Sequence, residues 1–266
     1  GIGGDSFWLV RSPAGEVFTI DACGGAAQSA SLDLYRDAGL DRIPFRGPLA
    51  ANTVAGTISG WKLVLEMTGG ALPLSRLLRD AIALAKEGVD VTESGANVAA
   101  GKDAELAVFP GYAAVFRPDG RPLSAGDRLR QPGLAETLER LVKNGLDDFY
   151  TGAIAKDISA DLAALGSPVS RTDLEAHRAF KATPLRLSAF GAQLYNMGPP
   201  TQGFASLLIL ALFERLKVAE SDRFDHVHGL VEATKQAFSL YKKIGLGDPV
   251  FMEREAQETL DDIDLL

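Results

Sequence analysis

Two short apolar runs, Phe7-Trp8-Leu9-Val10 and Val17-Phe18-Thr19-Ile20, flank Ser12-Pro13-Ala14-Gly15, and together they predict a β-hairpin over residues 5–20. Both runs are nearly all apolar, so both faces of both strands are expected to be buried. The small residues over 21–30 then let backbones approach closely. Beyond them the apolar spacing becomes helical. Residues 53–68 predict a helix that stops at Gly69-Gly70, and 74–87 repeat the pattern through Leu74, Leu77, Leu78, Ile82, Leu84 and Ala85 before Gly88. Residues 108–133 read as irregular, with turn signals at Pro118-Asp119-Gly120 and Ala125-Gly126-Asp127. Helices are predicted again over 134–143, 154–165 and 171–180, the last opened by capping side chains in Ser170-Arg171-Thr172-Asp173. Two strands follow over 185–190 and 192–197. Gly198-Pro199-Pro200-Thr201-Gln202-Gly203 breaks the pattern before an apolar helix over 204–216, and a helix over 224–241 runs into Gly245-Leu246-Gly247-Asp248-Pro249. There is no internal repeat. The expected class is α+β, with strands at both ends of a helical middle.

At 266 residues the chain is long enough to bury a core, and 46% hydrophobic with 23% charged residues is a soluble, globular balance. A net charge of −8 argues against a nucleic-acid partner and against a polybasic membrane surface. The longest apolar run, 204–213, is about half of what spans a bilayer. One cysteine rules out an internal disulfide. His177, His226 and His228 are too few and too badly spaced for a zinc site, and no metal or cofactor is expected. His226 and His228 fall on different sides of a helix, whereas His228, Glu232 and Lys235 share a face and favour plain helix packing. The Gly-rich opening at Gly1 and the acidic stretch 253–266 read as the ends of a cut chain, with the N-terminus incomplete.

The chain lacks a G-x-S-x-G elbow and a Walker loop, and Gly1-Ile2-Gly3-Gly4 precedes a strand, so no phosphate cradle is set up. Cys23 follows a buried strand among glycines and alanines. It stands open between a nucleophile, a residue lining a pocket and a small buried side chain. The Gly198–Gly203 segment is open between backbone N–H groups presented to an oxyanion or carboxylate and a plain strand-to-helix turn. A packed core without a self-sufficient catalytic set suits one half of a divided enzyme.

Several segments, in order, resemble the large subunit of the γ-glutamyltranspeptidase family. Its G-I-G-G-G-x-F opening is similar to Gly1-Ile2-Gly3-Gly4-Asp5-Ser6-Phe7, and its V-P-G-x-x-x-G to Val54-Ala55-Gly56-Thr57-Ile58-Ser59-Gly60, with Ala55 replacing proline. Its L-L-x-x-A-I-x-L-A-x-x-G helix is similar to residues 77–88, Q-P-x-L-A-x-T-L to 131–138, and F-Y-x-G to Phe149-Tyr150-Thr151-Gly152. Its P-P-P-S-S-G-G resembles 198–204, H-x-x-x-E-A-x-K-x-A-F matches 228–238, and L-G-D-P matches 246–249.

The resemblance implies an N-terminal-nucleophile hydrolase made as one precursor. Residues 1–266 would be the large subunit, a single domain shared with a small subunit in a four-layer αββα sandwich. The catalytic threonine would open that partner chain, shortly after Leu266, and would attack a small-molecule amide through its hydroxyl, with its own α-amine as base. This chain would contribute no catalytic residue.

Where the family has D-G-R-E-x-A-P after the second strand, this chain reads Asp21-Ala22-Cys23-Gly24-Gly25-Ala26-Ala27, so Cys23 stands in place of the arginine that grips the α-carboxylate of a γ-glutamyl group. A cysteine lacks the bidentate fork that holds a carboxylate, a loss of several kcal/mol. Leu240 and Tyr241 likewise replace the family's D-R in the late helix. A glutathione-type transpeptidase is therefore not expected. The chain most resembles members that turn oxamate and water into oxalate and ammonia in purine breakdown, which implies a cytoplasmic location, a periplasmic one staying open. A glutaryl or cephalosporin acylase-like member, a γ-glutamyl hydrolase, and a processed binding protein without activity are the alternatives.

Overall fold

The structure is a computed structural model that describes residues 2–243, 245, 247–252 and 255–262; Gly1, Leu246 of the predicted glycine-rich segment, and Glu253, Arg254 and 263–266 of the acidic stretch lie outside them. The fold is α+β, as expected. The chain forms two compact units, Gly1–Asp5 with Cys23–Arg178, and Ser6–Ala22 with Ala179–Leu266.

In the second unit, β1 (Ser6–Arg11) and β2 (Val17–Ala22) form the predicted antiparallel hairpin, with Ser6 opposite Ala22 and Arg11 opposite Val17. Its turn closes where the Gly15 N–H donates to the Ser12 carbonyl (2.9 Å), at a φ of +89° that only glycine adopts freely.

The first unit is helical. A short α1 (Leu32–Asp37) is capped by the Ser31 side chain, which accepts from the Leu34 N–H. The predicted helix over 53–68 is α2 (Thr57–Thr68), ended by Gly69 in the left-handed region. The single helix predicted over 74–87 is instead two, α3 (Leu74–Leu77) and α4 (Arg79–Glu87), broken where Leu78 turns into the core. A two-residue β3 (Val89–Asp90) precedes α5 (Glu93–Leu106), which has no counterpart in the predicted elements; Thr92 caps it by accepting from the Gly95 N–H. The stretch predicted as irregular contains α6 (Pro110–Phe116), with proline in its first turn, and β4 (Arg128–Leu129), which pairs with β3. The predicted turns sit between them, at Gly120 (φ +74°) and Gly126 (φ +84°).

Next come α7 (Pro132–Asn144), α8 (Ala153–Leu165) and α9 (Arg171–Ala176). On α7, Ala135, Leu138 and Leu141 recur every third residue and form one buried stripe. Leu138 and Leu141 pack with Ile58, Ile154 and Leu174 in the core of this unit, each large side chain contributing about 2 kcal/mol. Helix α9 stops short of the predicted residue 180, because His177 already has an extended backbone.

The start of α9 is a capping box. Asp173 is buried, yet its carboxylate accepts from the Ser170 N–H (2.8 Å), the Ser170 hydroxyl (2.6 Å) and the Gln28 N–H (2.9 Å). Burial opposes its charge, but these donors outweigh burial and hold the carboxyl below its ordinary value of 3.8. A depressed acid contributes stability above its unfolded value and loses it as pH falls through the folded one. Asp173→Asn is thus expected to destabilise the chain by about 2 kcal/mol near neutral pH, with the gap to wild type closing below about pH 4. Urea unfolding at both pH values checks this; a gap that does not change with pH refutes the linkage.

The chain then returns to the second unit. Strand β5 (Phe180–Ala182) pairs with β2, and β6 (Leu185–Ala189) with β7 (Ala192–Asn196) forms the second predicted hairpin. Three helices follow, α10 (Gly203–Arg215), α11 (Phe224–Lys243) and α12 (Ala256–Asp261). Leu185, Phe204, Leu207, Leu208, Ala237 and Leu260 close their core. The first sheet has the order β1-β2-β5, and this corrects one expectation. The central β2 is buried on both faces, with Thr19, Ile20 and Ala22 at 0% exposure. Strand β1 is at an edge and alternates, leaving Phe7 and Leu9 39% and 49% exposed.

Candidate functional site

Motif segments far apart in sequence meet in the first unit. The Gly4 carbonyl accepts from both the N–H (2.9 Å) and the hydroxyl (2.7 Å) of Thr57, tying the glycine-rich opening to the start of α2. The Tyr150 hydroxyl accepts from the Ser59 N–H (2.9 Å) and donates to the Ala55 carbonyl (2.8 Å), so the Phe149–Gly152 segment braces the same turn. Burial pushes the Tyr150 phenol up to about 12, against the smaller opposing effect of the Ser59 N–H, and it remains a neutral donor.

The segment after β2 lies directly on this turn. The Val54 N–H donates to the Gly25 carbonyl (3.0 Å), the Ala27 N–H donates to the Asn52 carbonyl (2.9 Å), and Ala26 bridges Thr53. Gly24 is seated so closely that a Cβ there would fall 1.6 Å from the Val54 carbonyl oxygen. Backbone therefore meets backbone at the position next to Cys23.

Cys23 itself is half-buried. Its thiol donates to one carboxylate oxygen of Asp5 (3.5 Å), while the Gly24 N–H donates to the other (2.8 Å). Activated cysteines sit beside cations, whereas the Asp5 carboxylate beside this thiol is an anion, which argues against a nucleophilic role. Asp5 was not singled out by sequence reasoning. The available signal was its place in Gly1-Ile2-Gly3-Gly4-Asp5-Ser6-Phe7, where the similar family opening has a third glycine. Two of the departures from the family pattern, Asp5 and Cys23, are hydrogen-bonded to each other.

The other candidate segments are elsewhere. In Gly198–Gly203 the Thr201 N–H donates to the Gly198 carbonyl (3.2 Å), and the Thr201 hydroxyl accepts from the Gly203 N–H (3.1 Å). Those donors are used inside the segment, which supports the strand-to-helix turn. It borders a cavity of about 710 Å³ in the second unit, lined also by Asp21, Arg186 and Tyr195. His226 lies edge-on to Phe213 and His228 stacks on Phe224, while Glu232 pairs with Lys235 at 2.8 Å. The Lys235 hydrogen bond holds the Glu232 carboxyl below its ordinary value. This is helix packing. Among the described residues no group of three or more His, Cys, Asp or Glu side chains is arranged to hold a metal, and no helix is long and apolar enough to cross a membrane.

Residues 1–263 match the family described as gamma-glutamyltranspeptidase. The chain is 45% identical over 264 residues to the oxamate amidohydrolase proenzyme of Klebsiella pneumoniae, covering 98% of this chain and 49% of that protein. It is 32% identical over 260 residues to the glutathione hydrolase proenzyme of Escherichia coli, covering 95% and 44%. Among solved structures it is similar to a cephalosporin acylase from Bacillus halodurans, at a TM-score of 0.89 and 26% identity, covering 99% of this chain and 51% of that one. The chain spans about half the length of the curated relatives it matches.

Proposed function

From the premise that this chain belongs to the gamma-glutamyltranspeptidase family, we propose that it is the large subunit of an autoprocessed amidohydrolase, with oxamate as substrate and the cytoplasm as its location. Residues 1–266 form one half of the working enzyme; a small subunit from the same precursor completes it and supplies a threonine at its N-terminus. The threonine hydroxyl attacks the amide carbonyl while the α-amine takes its proton. Collapse of the adduct breaks the C–N bond, and ammonia leaves with that proton. Water then hydrolyses the acyl-enzyme, releasing oxalate and restoring the threonine.

This chain walls the acyl side of the site through Cys23 and the Asp5–Gly24 turn. The observation that carries the reading is the Cys23–Asp5 contact. A thiol bound to a carboxylate stands where similar γ-glutamyl enzymes need a guanidinium, so the distal α-carboxylate of glutathione has no partner there. The 45% identity over nearly the whole chain to an oxamate amidohydrolase proenzyme supports the same substrate.

The test is amide hydrolysis by the full two-chain protein, read as ammonia from oxamate and as the freed amine from anilides and substituted glutaryl amides. Oxamate is expected to turn over with kcat/KM at least about 100-fold above γ-glutamyl anilides and glutaryl amides. Preference for a glutaryl amide would move the reading to an acylase, and turnover of none of them, with an intact threonine, would leave a processed binding protein.

A further inference from the structure

The geometry points to Asp5 as the residue that restricts this site to short acyl groups, by placing a carboxylate where the distal carboxylate of a longer ω-amide acid must lie. The inference rests on the placement of Cys23 on the acyl side proposed above. Both oxygens of Asp5 are engaged, one by the Gly24 N–H (2.8 Å) and one by the Cys23 thiol (3.5 Å), so its charge is held at a defined position. The turn that holds it is rigid: Gly24 lies against the Val54 carbonyl, and Gly4 is tied to Thr57 by two hydrogen bonds.

Substrate length decides which molecules meet that charge. In oxamate the carboxylate is bonded directly to the scissile carbonyl carbon. In glutaramate, or in a γ-glutamyl chain, it lies three bonds further away, roughly 4 Å in an extended chain. The short acid stops before Cys23 and Asp5; the long one brings a second carboxylate up to them, and two carboxylates brought close together repel. Asp5 acts in part by holding the turn, so it is a positioning and specificity residue and not a catalytic one.

The experiment measures ammonia release from oxamate, malonamate, succinamate, glutaramate and glutamine by the two-chain enzyme, for wild type and Asp5→Asn. Asparagine keeps an oxygen for the Gly24 N–H and removes the charge. Wild-type kcat/KM is expected to fall along the series. The variant is expected to raise kcat/KM on glutaramate relative to oxamate by at least about 10-fold, through KM. Its cleavage into two chains and its Tm report folding. A parallel drop on every substrate, or an unmoved length profile, overturns the inference. A second arm needs no variant: calorimetry on wild type should find neutral glutaramide bound at least about 10-fold more tightly than anionic glutaramate, and equal binding overturns the inference even if Asp5→Asn does not fold. Failure to hydrolyse oxamate sinks the proposed substrate alone, whereas oxamate turnover with an unmoved profile sinks only the role of Asp5.

Discussion

Gly24→Ala is expected to destabilise this chain by about 3 kcal/mol or more, lowering Tm by roughly 6–12 °C. The added Cβ would sit 1.6 Å from the Val54 carbonyl oxygen and 2.6 Å from its carbon. Both atoms are backbone, so no rotamer change relieves the overlap. Either the 23–27 segment must lift off residues 52–54, breaking the Val54–Gly25 and Ala27–Asn52 hydrogen bonds, or the start of α2 must shift. Displacing the segment also moves Cys23 and releases Asp5, so activity should fall with stability. Gly25→Ala is the control: nothing lies within 4 Å of a Cβ there, and a change below about 1 kcal/mol is expected. Urea unfolding of the two variants side by side decides the matter. If they prove equally stable, the close approach at Gly24 is not what holds the turn.

Phe204→Ala is the second large effect, at about 3–5 kcal/mol. Phe204 has 0% exposure and packs with Leu185, Leu207, Leu208, Ala237 and Leu260. Truncation removes a whole ring from the centre of that cluster, and the backbone there has little room to collapse: a Cβ at the preceding Gly203 would already fall 2.0 Å from the Met197 carbonyl oxygen. Phe204→Leu should recover more than half of the loss, because most of the volume returns. Phe224→Ala, at a position 77% exposed, should change stability by less than about 1 kcal/mol. A loss below about 1 kcal/mol for Phe204→Ala would mean that this cluster is not a stability core.

What was legible in the sequence was what local chemistry decides. Helices α2 and α8 end where glycine takes the left-handed conformation, at Gly69 and Gly166, and those ends could be read directly. The capping side chains of α9 marked its start. Its end was not legible, because Phe180 belongs to a strand paired with Asp21, a residue far away in the chain. Helix α5 went unread for a different reason: Gly95 and Gly101 interrupt it and its apolar positions form no clear stripe. The apolar run of β1 looked like a buried strand because a run of that kind does not say whether it will be central or at an edge. The site divided in the same way. Cys23 could be found by its place after β2. Asp5 shows in the sequence only as a departure from the similar family opening, since its two hydrogen bonds run to residues 18 and 19 positions away.

The edge position of β1 bears on how such a chain must be produced. Among the described strands β1 pairs only with β2, so alternate N–H and C=O groups along its outer side offer themselves to any passing strand. Phe7 and Leu9 add an apolar face to that template, and Arg11 alone supplies a charge to discourage pairing. Copies of this chain synthesised by themselves would meet each other along that edge, and the outcome of expression would be decided by concentration and by what covers the strand first, before any question of catalysis arises.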